Sequence, residues 1–288
     1  MATWRVGSAT VHKVVEVEFP LPVAGALRTS DEGLLDRYPW LAPHYASPGG
    51  LFTMSFHALL VDTGDRRILI DTCIGNDRTH PIVPPLQTGW LDVLKDTGYP
   101  PETIDTVVCT HLHFDHVGWN TRLVDGAWVP TFPNARYLIP RAEWEFWRTG
   151  AESDGRAELA DTVDPLLAAD LVDFVEPGHR VADGITLEAA PGHTPGQVAV
   201  LIESAGPAGV ERAVVTGDLV HHAVQFVAPE VGSPSDEDPA QATATRRAFV
   251  ERYADTGTLV LGTHFPDPSA GYLTRADGEL RFVVAQDG

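Results

Sequence analysis

The sequence predicts an α+β fold in which two β-sheets pack face to face and helices cover their outer surfaces. Three observations support this prediction: strand-like patterns occur throughout the 288 residues, the early strands form a hairpin meander, and the later strands alternate with helical segments. A hydrophobic content of 43% is sufficient for a large core without disulfide bonds. Because no linker, repeat or low-complexity tract divides the chain, we expect one domain over residues 1–288.

The strands and helices are predicted from hydrophobic periodicity and from the turn residues between periodic segments. Strands are predicted at residues 10–18, 54–62, 67–71, 106–110, 135–139, 185–189, 197–203, 213–216, 258–262 and 280–285. The segment HALLVDTGDRRILIDT is typical of a hairpin with its turn at residues 62–65. Helices are predicted at residues 88–98, 140–150, 156–172 and 239–254. The segment 1–50 contributes an N-terminal strand, and its Pro- and Gly-rich part, 20–50, is a lid or a dimer contact.

The net charge and the cysteine content indicate which kinds of partner and which cellular environment suit the protein. Against 20 basic residues stand 40 acidic ones, a net charge of -20 that repels nucleic acid and anionic membranes. We therefore expect a small-molecule substrate as the partner, with a homodimer left open. Two cysteines, Cys73 and Cys109, lie in or beside apolar strands, which suits a reducing, cytoplasmic environment. Charged residues interrupt the N-terminal segment, and no apolar run approaches the ~18 residues of a membrane span.

Residues 109–119, CTHLHFDHVGW, concentrate metal-ligand types directly after a predicted strand. A loop at a strand end can direct several side chains at one point, and His111, His113, Asp115 and His116 are all suitable ligands. Imidazole and carboxylate groups bind zinc and its neighbours in the first transition row. Packing is a poor explanation for four such groups at this spacing, so we predict a metal site.

Three later segments repeat the pattern of an apolar strand, a Gly or Pro, and then a ligand type. They are APGHTPG around His193, VVTGDLVHH around Asp218 and VLGTHFP around His264. Each segment alone is weak evidence, because a histidine after a strand is commonly a loop residue. Their shared context with the first cluster makes one common site the better interpretation.

This ordered set of motifs resembles the metallo-β-lactamase superfamily. The resemblance covers about residues 55–265 and implies a four-layer αβ/βα sandwich with a metal centre between the sheets. It also implies a first metal held by His111, His113 and His193, a second held by Asp115, His116 and His264, and Asp218 as the ligand that bridges both. In LIDTCIG, Asp71 resembles the aspartate that supports the metal loop through hydrogen bonds.

Two divalent ions, zinc by default and Mn, Fe or Co as alternatives, imply hydrolysis. A hydroxide bridging the metals would attack a carbonyl carbon or a phosphorus, and Asp115 would orient it or pass its proton to the leaving group. The segments GHTPGQ, GDLVHHAVQF and THFPDPSAGYLTRADGELRF look most like the methyl parathion hydrolase branch, with acyl-homoserine lactonases next. Those lactonases place a tyrosine where this chain has His221. We therefore predict His221 as a catalytic residue whose imidazole has a different reach toward the substrate from that of a phenol.

Aromatic residues near the ligands are candidates for an apolar substrate wall: Phe114, Trp119, Trp147 and Phe265. Together with the negative net charge, they favour neutral, apolar esters, lactones or phosphotriesters over anionic substrates.

Other functions fit the sequence less well. A thioesterase of the glyoxalase II type is the alternative hydrolase, and a non-catalytic binding protein that keeps the fold is the alternative from another class. The complete ligand set argues against a degenerate member. Diiron redox members place a Glu where this chain has His113, and the common zinc β-lactamases alter the ligand pattern. An RNA-processing nuclease would need a basic groove, for which no Lys/Arg cluster is present.

Overall fold

The computed structural model describes residues 2–31, 33–47, 51–80, 83–149, 159–207 and 209–285. The strands in chain order are β1 (Thr3–Val6), β2 (Ala9–Pro22), β3 (Leu51–Asp62), β4 (Arg67–Ile70), β5 (Thr106–Val108), β6 (Thr121–Val124), β7 (Ala127–Pro130), β8 (Arg136–Pro140), β9 (Val172–Val175), β10 (Arg180–Ala182), β11 (Ile185–Ala189), β12 (Val198–Gly206), β13 (Gly209–Val215), β14 (Leu259–Leu261), β15 (Ala270–Ala276) and β16 (Glu279–Val284). The helices are α1 (Val23–Ala26), α2 (Trp90–Asp96), α3 (Phe114–Val117), α4 (Arg141–Thr149), α5 (Asp164–Ala168) and α6 (Pro239–Tyr253).

Two seven-stranded sheets form the centre of the described chain. The first has the order β1-β2-β3-β4-β5-β8-β9, antiparallel as far as β4 and parallel from β4 to β9. The second runs from β10 to β16 in chain order and is antiparallel except for the parallel pair β13–β14. A separate two-stranded sheet joins β6 and β7.

Alternating side chains on the strands build three apolar clusters, because successive residues of a strand face opposite sides of its sheet. On β5, Val108 packs between the sheets, whereas Val107 belongs to the cluster that includes Trp90 of α2. On β13, Val215 faces the other sheet, and Val214 packs in the cluster with Phe249 of α6. This arrangement places helix, sheet, sheet and helix in four layers and confirms the predicted α+β sandwich.

Turn and cap residues explain where several elements begin. In the β3–β4 hairpin, Gly64 has a φ of 88° and donates its N–H to the side chain of Asp62. Helix α6 begins after Asp238, whose carboxylate accepts the N–H groups of Ala240 and Gln241.

Every predicted strand segment overlaps an observed strand, but β1, β6, β7, β9, β10 and β15 were not predicted. The predicted helix 156–172 is wrong as one continuous element. Its residues 156–158 lie outside the described residues, Pro165 lies at the start of the short helix α5, and β9 begins at Val172. Residue 150 of the predicted helix 140–150 is likewise not described.

None of the helices in the described ranges has the length and apolarity needed to span a bilayer.

Candidate metal centre

The ligand-type residues meet at one edge of the sandwich, where strands from both sheets end. The loop after β5 carries residues 111–116, and the loop between β11 and β12 carries His193. Asp218 follows β13, and His264 follows β14. The structure therefore brings together, in space, all seven residues predicted as ligands.

Two backbone features allow the loops to pack tightly at this edge. Asp71, directly after β4, has a φ of 59°, a left-handed conformation that is uncommon for a residue with a Cβ atom. Gly118 ends the ligand loop, where a Cβ atom would lie only 1.8 Å from the carbonyl oxygen of Ile74. Only glycine fits there without moving the backbone.

The first donor group consists of His111, His113, His193 and Asp218. Nδ1 of His113 lies 3.0 Å from Nε2 of His111 and 2.9 Å from Nε2 of His193. Oδ2 of Asp218 is 3.3 Å from the same His193 nitrogen and 3.7 Å from that of His111. Three nitrogens and one oxygen thus converge on one point.

The second donor group consists of Asp115, His116, His264 and the same Asp218. Oδ1 of Asp218 lies 3.2 Å from Nε2 of His116 and 3.1 Å from Nε2 of His264. Oδ2 of Asp115 is 3.6 Å and 3.5 Å from these two nitrogens. Oδ2 of Asp218 also lies 3.2 Å from Nε2 of His264, so this carboxylate contacts nitrogens of both groups and is suited to bridge them.

Four of the imidazoles are oriented by a partner at the ring nitrogen that faces away from the donor groups. His116 Nδ1 bonds Asp71 at 2.8 Å, His193 Nδ1 bonds Asp236 at 3.0 Å, His264 Nδ1 bonds the carbonyl of Ser55 at 3.1 Å and His111 Nδ1 bonds Thr110 Oγ1 at 3.1 Å. A carbonyl oxygen only accepts hydrogen bonds, so His264 carries a proton on Nδ1, and in its neutral form the lone pair is on Nε2. The hydrogen bonds predicted for Asp71 are present, since Asp71 also accepts the N–H and the hydroxyl of Thr110.

The donor set fits two divalent ions. Ligand atoms at ~2.1 Å from a tetrahedral ion lie about 3.4 Å apart, and the separations in the first group range from 2.9 to 3.7 Å. In the second group, His116 Nε2 and Asp218 Oδ1 are buried and have no hydrogen-bond partner. Such atoms are costly to bury unless a ligand satisfies them.

Electrostatics favour a cation at this point. Burial lowers the pKa of His111 and His113 well below the usual value, which keeps their imidazoles neutral for coordination. Burial also lowers the pKa of His116, but the carboxylates of Asp218, Asp115 and Asp71 overcome it and raise that pKa well above normal. A negative field that retains a proton on a buried imidazole attracts a metal ion in the same way.

His221 lies beside the donor groups, although it belongs to neither. Its Nε2 is 3.1 Å from Oδ2 of Asp218, and its ring stacks on that of His264 with centroids 5.3 Å apart. The ring is 6% exposed and lines the cavity described next. Asp115, the other residue predicted as catalytic, lines the same cavity.

A cavity of about 700 Å³ opens above both donor groups. Apolar side chains from the end of β2, from α1 and from the start of β3 form much of its wall, including Phe19, Leu21, Met54 and Phe56. The N-terminal segment 20–50 therefore contributes to the wall through Pro20, Leu21, Gly25 and Ala26. The described residues that line the cavity include Asp115, Asp218 and Glu237 but neither Lys nor Arg.

Two of the four predicted wall residues, Phe114 and Trp147, line this cavity. The prediction is wrong for the other two. Trp119 is 5% exposed, its ring stacks on Trp90, and its indole N–H is bonded to Glu16. Phe265 is fully buried and packs against Phe282 with ring centroids 5.5 Å apart. Both residues are core residues, although both are close to ligands in the sequence.

Two buried carboxylates beside the site were not predicted from the sequence. Asp236 accepts a hydrogen bond from His193 and forms a fully buried ion pair with Arg246 of α6. Glu143 of α4 accepts backbone N–H groups from Leu112 and Gly196. The hydrogen-bond partners of these two carboxylates are 10 to 53 residues away along the chain, so no short sequence motif indicated the carboxylates.

The fold is a four-layer sandwich, and two donor groups that share Asp218 lie at its strand ends. Together they define a class of sandwich proteins with a candidate site for two metal ions. A family model described as the metallo-beta-lactamase superfamily matches residues 57–276. This chain belongs to that superfamily.

Individual relatives give a more detailed comparison. The N-acyl homoserine lactonase of Bacillus cereus is 30% identical over 172 residues, which cover 55% of this chain and 62% of the relative. The N-acyl homoserine lactonase AttM of Rhizobium radiobacter is 26% identical over 188 residues, 64% of this chain and 66% of the relative. The chain thus spans a little under two thirds of the length of these relatives.

Solved structures match almost the whole chain. The hydrolase AbOPH of the beta lactamase superfamily has a TM-score of 0.79 and 26% identity, covering 99% of this chain and 97% of its own. AidC, described as a dizinc quorum-quenching lactonase, has a TM-score of 0.76 and 24% identity with the same coverage. The second of these comparisons supports the fold alone.

Proposed function

We propose that this chain is a dinuclear metal-dependent hydrolase that acts on neutral lactones and carboxylic esters with apolar groups, and on phosphotriesters as a side reaction. One observation carries the proposal: two donor groups that share Asp218 lie beneath a cavity of about 700 Å³ with largely apolar walls. The similarity to N-acyl homoserine lactonases supports the bond type.

The charges in the cavity support the choice of neutral substrates. Carboxylates of Asp115, Asp218 and Glu237 contribute to its described lining, while Lys and Arg do not. The net charge of the chain is -20, which adds a field that repels anions. An anionic substrate would enter without a cationic side chain to pair with its charge. An apolar acyl or aryl group, in contrast, gains by leaving water against Phe19, Leu21 and Phe56.

When bound, two divalent ions, zinc by default, would supply a water nucleophile at neutral pH and charge stabilisation of the developing oxyanion. His111, His113 and His193 would hold one ion, Asp115, His116 and His264 the other, and Asp218 both. Asp115 faces the cavity and is placed to orient the attacking water and to pass a proton to the leaving group.

His221 would act on the substrate from the same side. Its ring lines the cavity, while its Nε2 lies within 3.1 Å of the shared carboxylate. We assign it to the contact with the substrate oxygen that becomes negatively charged during attack, since an imidazole N–H can donate one hydrogen bond there.

The test combines elemental analysis with a hydrolysis screen on protein purified without chelator. The screen would include neutral lactones, aryl esters, thioesters, phosphotriesters, phosphodiesters and RNA. We expect close to two transition-metal ions per chain and the highest kcat/KM on a lactone or ester. At most one ion under metal-replete conditions would refute the dinuclear centre, and faster cleavage of phosphodiesters or RNA would refute the substrate class. A clear preference for thioesters would favour the glyoxalase II type of activity instead.

A further inference from the structure

Glu143 is a buried carboxylate that belongs to neither donor group, yet it contacts both loops that carry the three histidines of the first group. Its side chain projects from α4 and is 0% exposed. Oε1 accepts the N–H of Gly196 at 2.7 Å, and Oε2 accepts the N–H of Leu112 at 3.3 Å. Oε2 also accepts the indole N–H of Trp147 at 2.9 Å.

The backbone N–H groups bound by Glu143 belong to residues close in sequence to the histidines of the first group. Leu112 lies between His111 and His113, and Gly196 is three residues after His193. The segments are 31 and 53 residues from Glu143 along the chain. One carboxylate therefore connects the two loops whose imidazole nitrogens must stay about 3 Å apart to share an ion.

The helix and the second loop are in direct backbone contact. A Cβ atom on Gly196 would lie 2.5 Å from the backbone nitrogen of Glu143, so only glycine allows this approach. The loop that carries His193 is thus packed against the helix as well as hydrogen-bonded to it. A shift of α4 would move this loop relative to His111 and His113.

Trp147 extends the same network into the substrate cavity. It lies one helical turn after Glu143, lines the cavity, and packs on His113 with ring centroids 5.3 Å apart and a tilt of 67°. Its indole N–H is held by the carboxylate that also holds the loops. The cavity wall and the first donor group therefore share one anchor.

Simple packing is a weaker explanation for Glu143. A buried carboxylate carries a desolvation penalty that an apolar residue of similar size would avoid. That penalty is offset here by three N–H donors, and two of them are amides of the ligand loops. The arrangement resembles the outer hydrogen bonds that orient metal ligands in proteins.

We propose that Glu143 is a positioning residue that sets the metal affinity of the first donor group and couples it to the cavity wall through Trp147. The proposal rests on the dinuclear centre proposed above. Its direct readout is metal binding, which is measured without substrate.

The main test compares E143Q with E145Q, a matched change at an exposed position of the same helix. The glutamine amide presents an NH₂ group where the carboxylate accepts N–H groups, so at least one loop contact is lost. We expect E143Q to release one of its two ions at a chelator concentration about 10- to 100-fold lower than wild type does. The second ion and the E145Q variant should behave as in wild type. Cobalt-substituted protein would report the affected site by its visible absorption.

Controls separate positioning from general destabilisation. Far-UV circular dichroism and the Tm of the metal-free variants report whether the fold is intact. If E143Q does not fold, E143D replaces it in the test. The shorter aspartate keeps the negative charge but moves it away from the loop N–H groups, so it should weaken metal binding at the same site. Trp147→Phe should keep both ions and raise KM for substrates with large apolar groups, because it removes only the indole contact.

Equal loss of both ions, or unchanged affinity for both, would overturn the role of Glu143. Fewer than two ions in the wild-type protein would instead refute the dinuclear centre itself, so the two failures are distinguishable.

Discussion

Asp218 is the residue on which both donor groups depend. Its two oxygens lie 3.1 to 3.3 Å from nitrogens of His116, His264 and His193. The nearby histidines hold the pKa of this carboxyl well below its usual value despite complete burial, which by itself raises the pKa. Asp218 is therefore a buried anion shared by both donor groups.

Replacing Asp218 by Ala should abolish activity and release at least one ion per chain. Two cations would otherwise lie close together without the carboxylate between them. Elemental analysis after gel filtration, combined with kcat on the best ester or lactone, would measure both effects. Asp183→Ala is the control, because the Asp183 side chain is 99% exposed. Near-normal turnover of the Asp218 variant would contradict the bridging role.

His221 should affect catalysis without determining metal content. Substituting His221 by Phe keeps a ring that can stack on His264 but removes Nε2, which lies 3.1 Å from Asp218, and with it the hydrogen bond proposed to the substrate oxygen. A hydrogen bond to a charged group contributes about 1.5–3 kcal/mol, so kcat should fall about 10- to 100-fold. Inductively coupled plasma analysis should still find two ions. Loss of an ion in this variant would contradict a role in catalysis alone and would show that His221 supports metal binding, as a ligand or through its contact with Asp218.

At the scale of elements, helix α6 supports the site from behind. Arg246 on this helix is fully buried, donates to the carbonyl of Leu219 at 2.7 Å and pairs with Asp236 at 2.8 Å. Leu219 is next to Asp218, and Asp236 holds the outer nitrogen of His193. One helix thus braces two strand-end loops of the second sheet.

Replacing Arg246 by Met should lower the free energy of unfolding by about 3–5 kcal/mol, because it leaves Asp236 buried without its cationic partner. Urea denaturation of the metal-free protein would measure the change. Arg247→Met, on the exposed side of the same helix, should change stability by less than about 0.5 kcal/mol. Equal stability of the two variants would contradict a structural role for the buried pair.

Features encoded in short sequence motifs could be predicted from the sequence, whereas contacts that depend on tertiary packing could not. The residues of the two donor groups could be predicted because each follows an apolar strand in a short motif, as His193 and His264 do. The side-chain directions of Trp119 and Phe265 could not, since adjacent residues on a tight turn point to different sides of the chain. The role of Glu143 also escaped prediction, because its partners are 31 and 53 residues away. The strand β15 was missed although its partner β16 was predicted.

On the scale of the whole molecule, the residues of the donor groups come from both halves of the sandwich. Residues 111–116 follow β5 of the first sheet, whereas His193, Asp218 and His264 follow strands of the second. Each donor group includes residues from both sheets. Bound ions would therefore cross-link the two sheets at one edge, in addition to the apolar core between them.

Removing the metals should lower the thermal stability of the entire protein as well as its activity. An ion that binds only the folded state stabilises it by about 2.7 kcal/mol when its free concentration is 100 times Kd. Without ions, the carboxylates of Asp115 and Asp218 remain in a buried cluster, and the sheets lose this connection. Differential scanning calorimetry before and after dialysis against EDTA should show a fall in Tm of several degrees, about 2–4 °C for each kcal/mol lost. Adding zinc back should restore ester or lactone hydrolysis, and Tm should begin to rise over the same range of free zinc concentration and continue to rise above it. If activity returned with no change in Tm, the ions would not connect the two sheets in the way that the donor geometry requires.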